Sequence, residues 1–115
     1  MDHTTALLMI KALDGLAARA VVTAENIANA GTANYRPLRL SFEAALKEAA
    51  LRGDDAAIQE TAPRVERTIA GTPEAELRPD LEMATASATA LRYSALIDML
   101  NRQVQLAGLA MTGSR

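Results

Sequence analysis

Few side chains in this chain could do chemistry, and they do not stand where chemistry needs them. His3 is the only histidine, and the 115 residues include no cysteine. A zinc site takes three or four nitrogen, sulfur or oxygen ligands converging on one point. His3 sits at the very start of the chain without such a cluster, so metal binding is not expected. Two carboxylate pairs, Asp54–Asp55 and Glu74 with Glu76, could be imagined as acid and base. That work requires environments that push the two pKa values apart. Both pairs share a polar stretch with Arg52, Arg64, Arg67 and Arg78, which reads as a solvated surface of mixed charge. No pocket of convergent polar groups is legible. The expectation is therefore no enzyme, no cofactor and no small-molecule substrate. A net charge of −2 offers no electrostatic case for nucleic acid either.

The elements around these residues are helical. Half of the residues are apolar but only 3% are aromatic, so the filling is mostly Ala and Leu. Ala buries little area per residue, which suits helices lying close along a seam. Residues 4–29 carry Ala6, Ile10, Leu13, Ala17, Ala20, Ala24 and Ile27, spaced 4, 3, 4, 3, 4, 3. That is a heptad pattern over three repeats. Asp2, Thr4 or Thr5 can cap the start. Gly15, inside this helix, weakens it by about 1 kcal/mol relative to Ala. Residues 83–111 repeat the pattern with Met83, Ala86, Ala90, Tyr93, Ile97, Leu100, Val104, Ala107 and Met111. Such a helix is about 43 Å long. Leu91, Leu96 and Leu106 form a second stripe beside the first, which implies more than one neighbour.

Between them, "LRLSFEAALKEAALRG" predicts a short helix ending near Gly53. The stretch after it holds Pro63, Pro73, Pro79 and no sustained period, so it reads as a loop with room for a short strand, mobile in an isolated monomer. The expected fold is all-α. Long N- and C-terminal helices pair as an antiparallel coiled-coil-like hairpin around an irregular, partly mobile middle. The divisions are 1–35, a helix and turn; 36–53, a short helical segment; 54–80, a variable loop; and 81–115, the second long helix. The start of the chain lacks the basic and apolar regions of a secretory leader, and no segment reaches the roughly 20 apolar residues that span a bilayer.

The stretch "AENIANAGTANYRP", residues 24–37, ends the first helix among three Asn, a Gly and a Pro. Gly31 can take the left-handed conformation that ends a helix, and Asn tolerates it better than most residues. Asn29 and Asn34 can bond nearby backbone. Two readings stand: a capped helix end with Tyr35 folded back over the apolar face, or a ligand site, for which no acid, base or nucleophile is at hand.

This stretch resembles the signature of bacterial flagellar axial proteins, the rod and hook family. There an A-x-N-I-A-N-A segment closes the N-terminal helix before a T-P-G-Y-K-like turn. Asn26, Ile27, Ala28, Asn29, Ala30, Thr32 and Tyr35 match, Arg36 takes the basic position, and Ala33–Asn34 replaces Pro-Gly. Residues 80–111 are similar to the C-terminal helix of that family's proximal-rod subunits. Ala90, Leu91, Arg92, Tyr93, Ala95 and Leu96 match an A-L-R-Y-Q-A-L centre, with Ser94 for Gln, and Leu100, Asn101 and Arg102 match an L-N-R continuation. "RPLRLSFEAAL" resembles the segment after the turn, with Ser41–Phe42 at a D-F position. The resemblance covers roughly residues 4–50 and 80–111, and the middle between them carries none.

The resemblance implies a structural subunit of the flagellar basal-body rod. It would be exported through the flagellar type III apparatus without a cleaved leader and sit in the periplasmic rod near the export gate. Its partners would be copies of itself, other rod proteins and the components at the rod base. The signature and interface positions it implies are Asn26, Ile27, Asn29, Gly31, Tyr35, Leu91, Arg92, Tyr93, Leu96, Ile97, Leu100, Asn101, Arg102 and Val104. Tyr93 serves either an intramolecular core or a contact between subunits. A sister rod protein, or a small cytoplasmic helical adaptor or chaperone, are the alternatives.

Overall fold

The first helix, α1, runs His3–Ala28 and begins as its sequence dictates. Asp2 is its N-cap, and its carboxylate accepts a hydrogen bond of 2.6 Å from the Thr5 backbone N–H, satisfying one of the free amides of the first turn. The computed structural model describes residues 1–113, so the last two positions of the segment 81–115 lie outside the described residues. After α1 come a strand, β1 (Leu38–Ser41), and two helices, α2 (Glu43–Arg52) and α3 (Asp55–Glu60). A second strand, β2 (Arg64–Arg67), and a 3₁₀ turn (Pro73–Ala75) lead into α4 (Pro79–Gly113). The chain is mostly helical, with long helices at both ends and one small sheet.

The strands correct the all-α expectation. β1 and β2 pair antiparallel, with Leu38 opposite Arg67 and Leu40 opposite Val65. Leu38 and Leu40 are half-buried while Arg39 and Ser41 face out, the alternation of a strand with one covered face. The middle of the chain is thus a hydrogen-bonded part of the fold. Gly53 ends α2 at φ 66°, the left-handed conformation that glycine adopts without a Cβ clash.

The core also lies where the sequence pattern did not put it. Leu16 of α1 joins Phe42, Leu46, Ala49 and Ile58, with Leu7, Leu8, Ala12, Leu40 and Leu96 around them. Ile58, in the stretch expected to be a loop, is the most buried side chain of this cluster. The physical reason is size. Ala-rich helix faces offer little area each, so the few large side chains of the middle segment collect the burial. Polar contacts tie α3 to the start of α1: the Thr4 hydroxyl donates to Asp55 Oδ1 at 2.7 Å, and Lys11 Nζ donates to the Thr61 carbonyl at 3.3 Å.

The face α1 turns inward is rotated by one residue, about 100°, from the expected heptad stripe. Met9, Leu16, Thr23 and Asn26 are buried and Ala12 and Arg19 half-buried, while Ile10 is 49% exposed and Ala24 is exposed. Ala17 and Ala20 lie at the edge of the contact, lining a shallow trough with Thr89, Ala90 and Tyr93. On α4 the inward stripe is Glu82, Ala86, Thr89, Leu96, Leu100 and Gln103. Of the nine expected α4 positions, Ala86 and Leu100 fall on it and Tyr93 and Ile97 lie beside it. Met83, Ala90 and Val104 do not, because polar Glu82, Thr89 and Gln103 take the inner places.

Candidate assembly surfaces

The signature stretch is built around Asn26, which is 1% exposed. Its Oδ1 accepts from the Tyr35 hydroxyl and from the Leu38 backbone N–H, both at 2.9 Å. Its Nδ2 donates to the Leu38 carbonyl at 2.9 Å and to Glu82 Oε2 at 3.3 Å. An amide side chain has two donors and two acceptor sites, and here all are used. Leu38 is gripped as a strand neighbour would grip it, so one side chain of α1 acts as the partner of β1. Glu82, 5% exposed, carries this on to α4 and forms an ion pair with Arg39. Asn26 therefore joins α1, the turn, β1 and α4 at one buried point.

The rest of the turn follows from local chemistry and from β2. Asn29 is the C-cap; its Nδ2 donates to the Glu25 carbonyl at 2.9 Å and its Oδ1 accepts from the Thr32 hydroxyl at 3.2 Å. The left-handed position belongs to Asn34, at φ 62°, and not to Gly31. A Cβ at Gly31 would meet nothing, so glycine is not required there by this fold. Arg67 of β2 lies over the Tyr35 ring, 5.4 Å from guanidinium carbon to ring centre, and donates to the Arg36 carbonyl at 2.8 Å. Arg36 in turn donates to the Thr68 carbonyl at 2.9 Å. Tyr35 is folded back as the capped-turn reading expects, but onto Asn26 and Arg67 instead of onto an apolar stripe. Sequence reasoning missed Arg39, Glu82 and Arg67; the one available signal was an acidic residue in the first turn of the second long helix.

A second polar clamp holds α2. Arg19 makes two bonds of 2.7 Å to the Glu43 carboxylate, donates to the Leu40 carbonyl at 3.0 Å, and stands over the Phe42 ring at 5.0 Å. The hydrogen bonds from Arg19 hold the Glu43 carboxyl at about 2, below its ordinary 4.5 and against the opposing effect of partial burial.

The remaining predicted positions divide into two groups. Ile27, Leu96, Ile97 and Leu100 are half-buried against the body of the fold. Leu91, Asn101, Arg102 and Val104 point to solvent, as does most of the outer face of α4. Tyr93 is 38% exposed beside Ala17 and Ala20, between the two roles open to it. Arg92 stands at the mouth of an open apolar groove of about 610 Å³ bounded by α1, α2 and α4, with Leu8, Met9, Phe42, Leu46, Leu96 and Met99 in its walls.

Beyond Gln103, α4 runs past the start of α1, and every residue from Val104 to Gly113 is exposed. No residue of 103–113 is charged. Val104, Leu106, Leu109 and Met111 lie on opposite sides of the helix and are 57–75% exposed. A helix apolar on both sides is one that other elements enclose.

Among the described residues, no three His, Cys, Asp or Glu side chains gather as metal ligands, and no helix is long and apolar enough to cross a membrane. His3 faces Asp55 at 3.5 Å on an exposed surface. No family model matches the chain, and no curated protein matches it.

Proposed function

We propose that this chain is a structural subunit of the bacterial flagellar proximal rod, of the kind represented by the basal-body rod protein FlgB. On this reading α1 and α4 form an antiparallel, coiled-coil-like hairpin, and its outer faces pack against copies of the chain and against sister rod proteins. The base of the rod and the export gate are further neighbours, and the type III export apparatus delivers the subunit. The observation that carries the reading is the exposed apolar surface of α4: Met83, Leu91, Val104, Leu106, Leu109 and Met111 are all more than half exposed. Surfaces of this kind are normally covered by a partner. Heterologous contacts of one subunit with the next build an open helical assembly when the rotation does not close. The signature residues add support, because Asn26 and Tyr35 fix how the hairpin ends instead of forming a pocket for a ligand. A sister rod protein meets the same description.

A second reading draws on the apolar groove, which could take a partner's helix as a cytoplasmic adaptor or chaperone does. The two readings separate genetically. Deleting the gene removes motility and assembled basal bodies, and leaves the export gate, if the chain is a rod subunit. Complementation with Leu100→Asp or Ile97→Asp should then give an exported subunit that does not enter the rod, since a buried unpaired charge is costly. A deletion strain that swims would sink the rod reading.

A further inference from the structure

We infer that the projecting segment of α4, Val104–Gly113, seats in the groove between α1, α2 and α4 of a second copy of this chain. The copies point the same way and are staggered along the helix axis. For the direction of the copies only, this rests on the rod reading above.

Three observations select the occupant. First, the segment lacks charge and is apolar on both sides, whereas the other helices carry acidic or basic residues on their exposed faces. A segment with no charges can enter an apolar groove without burying an unpaired ion. Second, the walls of the groove are apolar, and its charged residues, Glu43, Lys47 and Arg92, are exposed. Third, the groove continues a contact the fold already makes: Leu96 packs against the core cluster and also lines the groove. An incoming helix would extend the packing of α4 on α1.

The lengths agree. The α1 wall of the groove spans Thr5 to Leu16, and its α4 wall spans Arg92 to Met99. The projecting segment is about 15 Å long at 1.5 Å per residue, and the α1 wall is of similar length. Moving the segment's centre onto the centre of the α4 wall requires a shift of roughly thirteen residues, about 20 Å. Repetition of that shift yields a ladder without an end, because the copy at one end still presents its groove and the copy at the other end its exposed segment.

The test uses disulfide trapping in the purified protein, which has no native cysteine. Ala95 lines the groove and is exposed; Leu109 lies on the projecting segment; Leu51 is exposed on α2 outside the groove. Residues 95 and 109 of one helix stand about 21 Å apart, too far for a bond within one chain. Oxidation of mixed Ala95→Cys and Leu109→Cys proteins should give a mixed dimer, absent when Leu51→Cys replaces Ala95→Cys. The chain carrying both Ala95→Cys and Leu109→Cys should give a ladder of growing length. Adding Leu106→Glu and Leu109→Glu in an Ala95→Cys, Ala107→Cys background should abolish that background's ladder while helicity by circular dichroism is kept.

A doubly linked dimer that grows no further means the copies exchange segments about a two-fold axis, and overturns the stagger. Cross-linking only between Leu109→Cys chains, none at all at millimolar protein, or capture of Ala95→Cys by a sister rod subunit in place of this chain overturns the occupant. A ladder from a protein whose deletion strain swims leaves the docking intact and removes the rod reading, so the two failures are distinguishable.

Discussion

Gly15→Ala sets helix propensity against packing at one position. In an exposed helix interior, Ala is favoured over Gly by about 1 kcal/mol. Gly15 is buried, however, and a Cβ there would stand 2.6 Å from Cγ, Cδ1 and Cε1 of Phe42. Carbon atoms pack best at about 3.5–4.0 Å, so the ring must retreat by roughly 1 Å. It has little room, lying among Leu16, Leu46, Ala49 and Ile58 with Arg19 on it. Overpacking of this kind costs about 1–3 kcal/mol. The net expectation is destabilisation by roughly 1 kcal/mol and at most about 2, from the difference of the two effects. Urea unfolding followed by circular dichroism of the parent, Gly15→Ala, Phe42→Leu and the double variant measures both terms. With the ring gone, Gly15→Ala should become neutral or stabilising, a coupling of about 1–3 kcal/mol. Stabilisation by about 1 kcal/mol in the parent, additive with Phe42→Leu, would refute the claim that glycine is there to admit the ring.

Three further expectations concern the fold. Asn26→Asp turns a donor facing Glu82 and the Leu38 carbonyl into a carboxylate oxygen, and should lower the stability at pH 7 by about 3–5 kcal/mol, with partial recovery in an added Glu82→Gln; denaturant midpoints read both. Ile58→Ala should cost about 2–5 kcal/mol, measured in the same way, and a negligible loss would mean that α3 is not part of the core. Glu43 has its folded pKa lowered to about 2, below the unfolded carboxylate value, so its clamp to Arg19 is in place above about pH 4.5 and is lost as the pH falls toward 2. Its side chain is half exposed, which limits the contribution to below about 1 kcal/mol. Glu43→Gln should therefore flatten the stability profile between pH 5 and 2 slightly and leave the rest of it unchanged.

The middle of the chain changes what a truncation would do. Read as a sequence, residues 54–80 are a variable loop, in which shortening is expected to be tolerated better than a change in the helix seam. In the fold they supply Ile58 to the core, a strand to β1, and Arg67 and Thr68 to the turn that follows α1. Shortening them strips the support from the signature turn, so a deletion there damages the same structure as a change at Asn26.

The sequence by itself determined what depends on near neighbours along the chain. The two long helices, the Asp2 cap and the stop of α2 at Gly53 follow from capping, periodicity and the tolerance of Gly for positive φ, all of which act within a few residues. The tertiary structure alone decided which way α1 and α4 face. Alanine is acceptable on either of two adjacent stripes, so the pattern could not fix the rotation. Arg19, Asn26 and Glu82 look like surface residues until Glu43, Leu38, Tyr35 and Arg39 are brought to them from elsewhere in the chain. Buried polar groups need partners, and those partners exist only once the chain has folded.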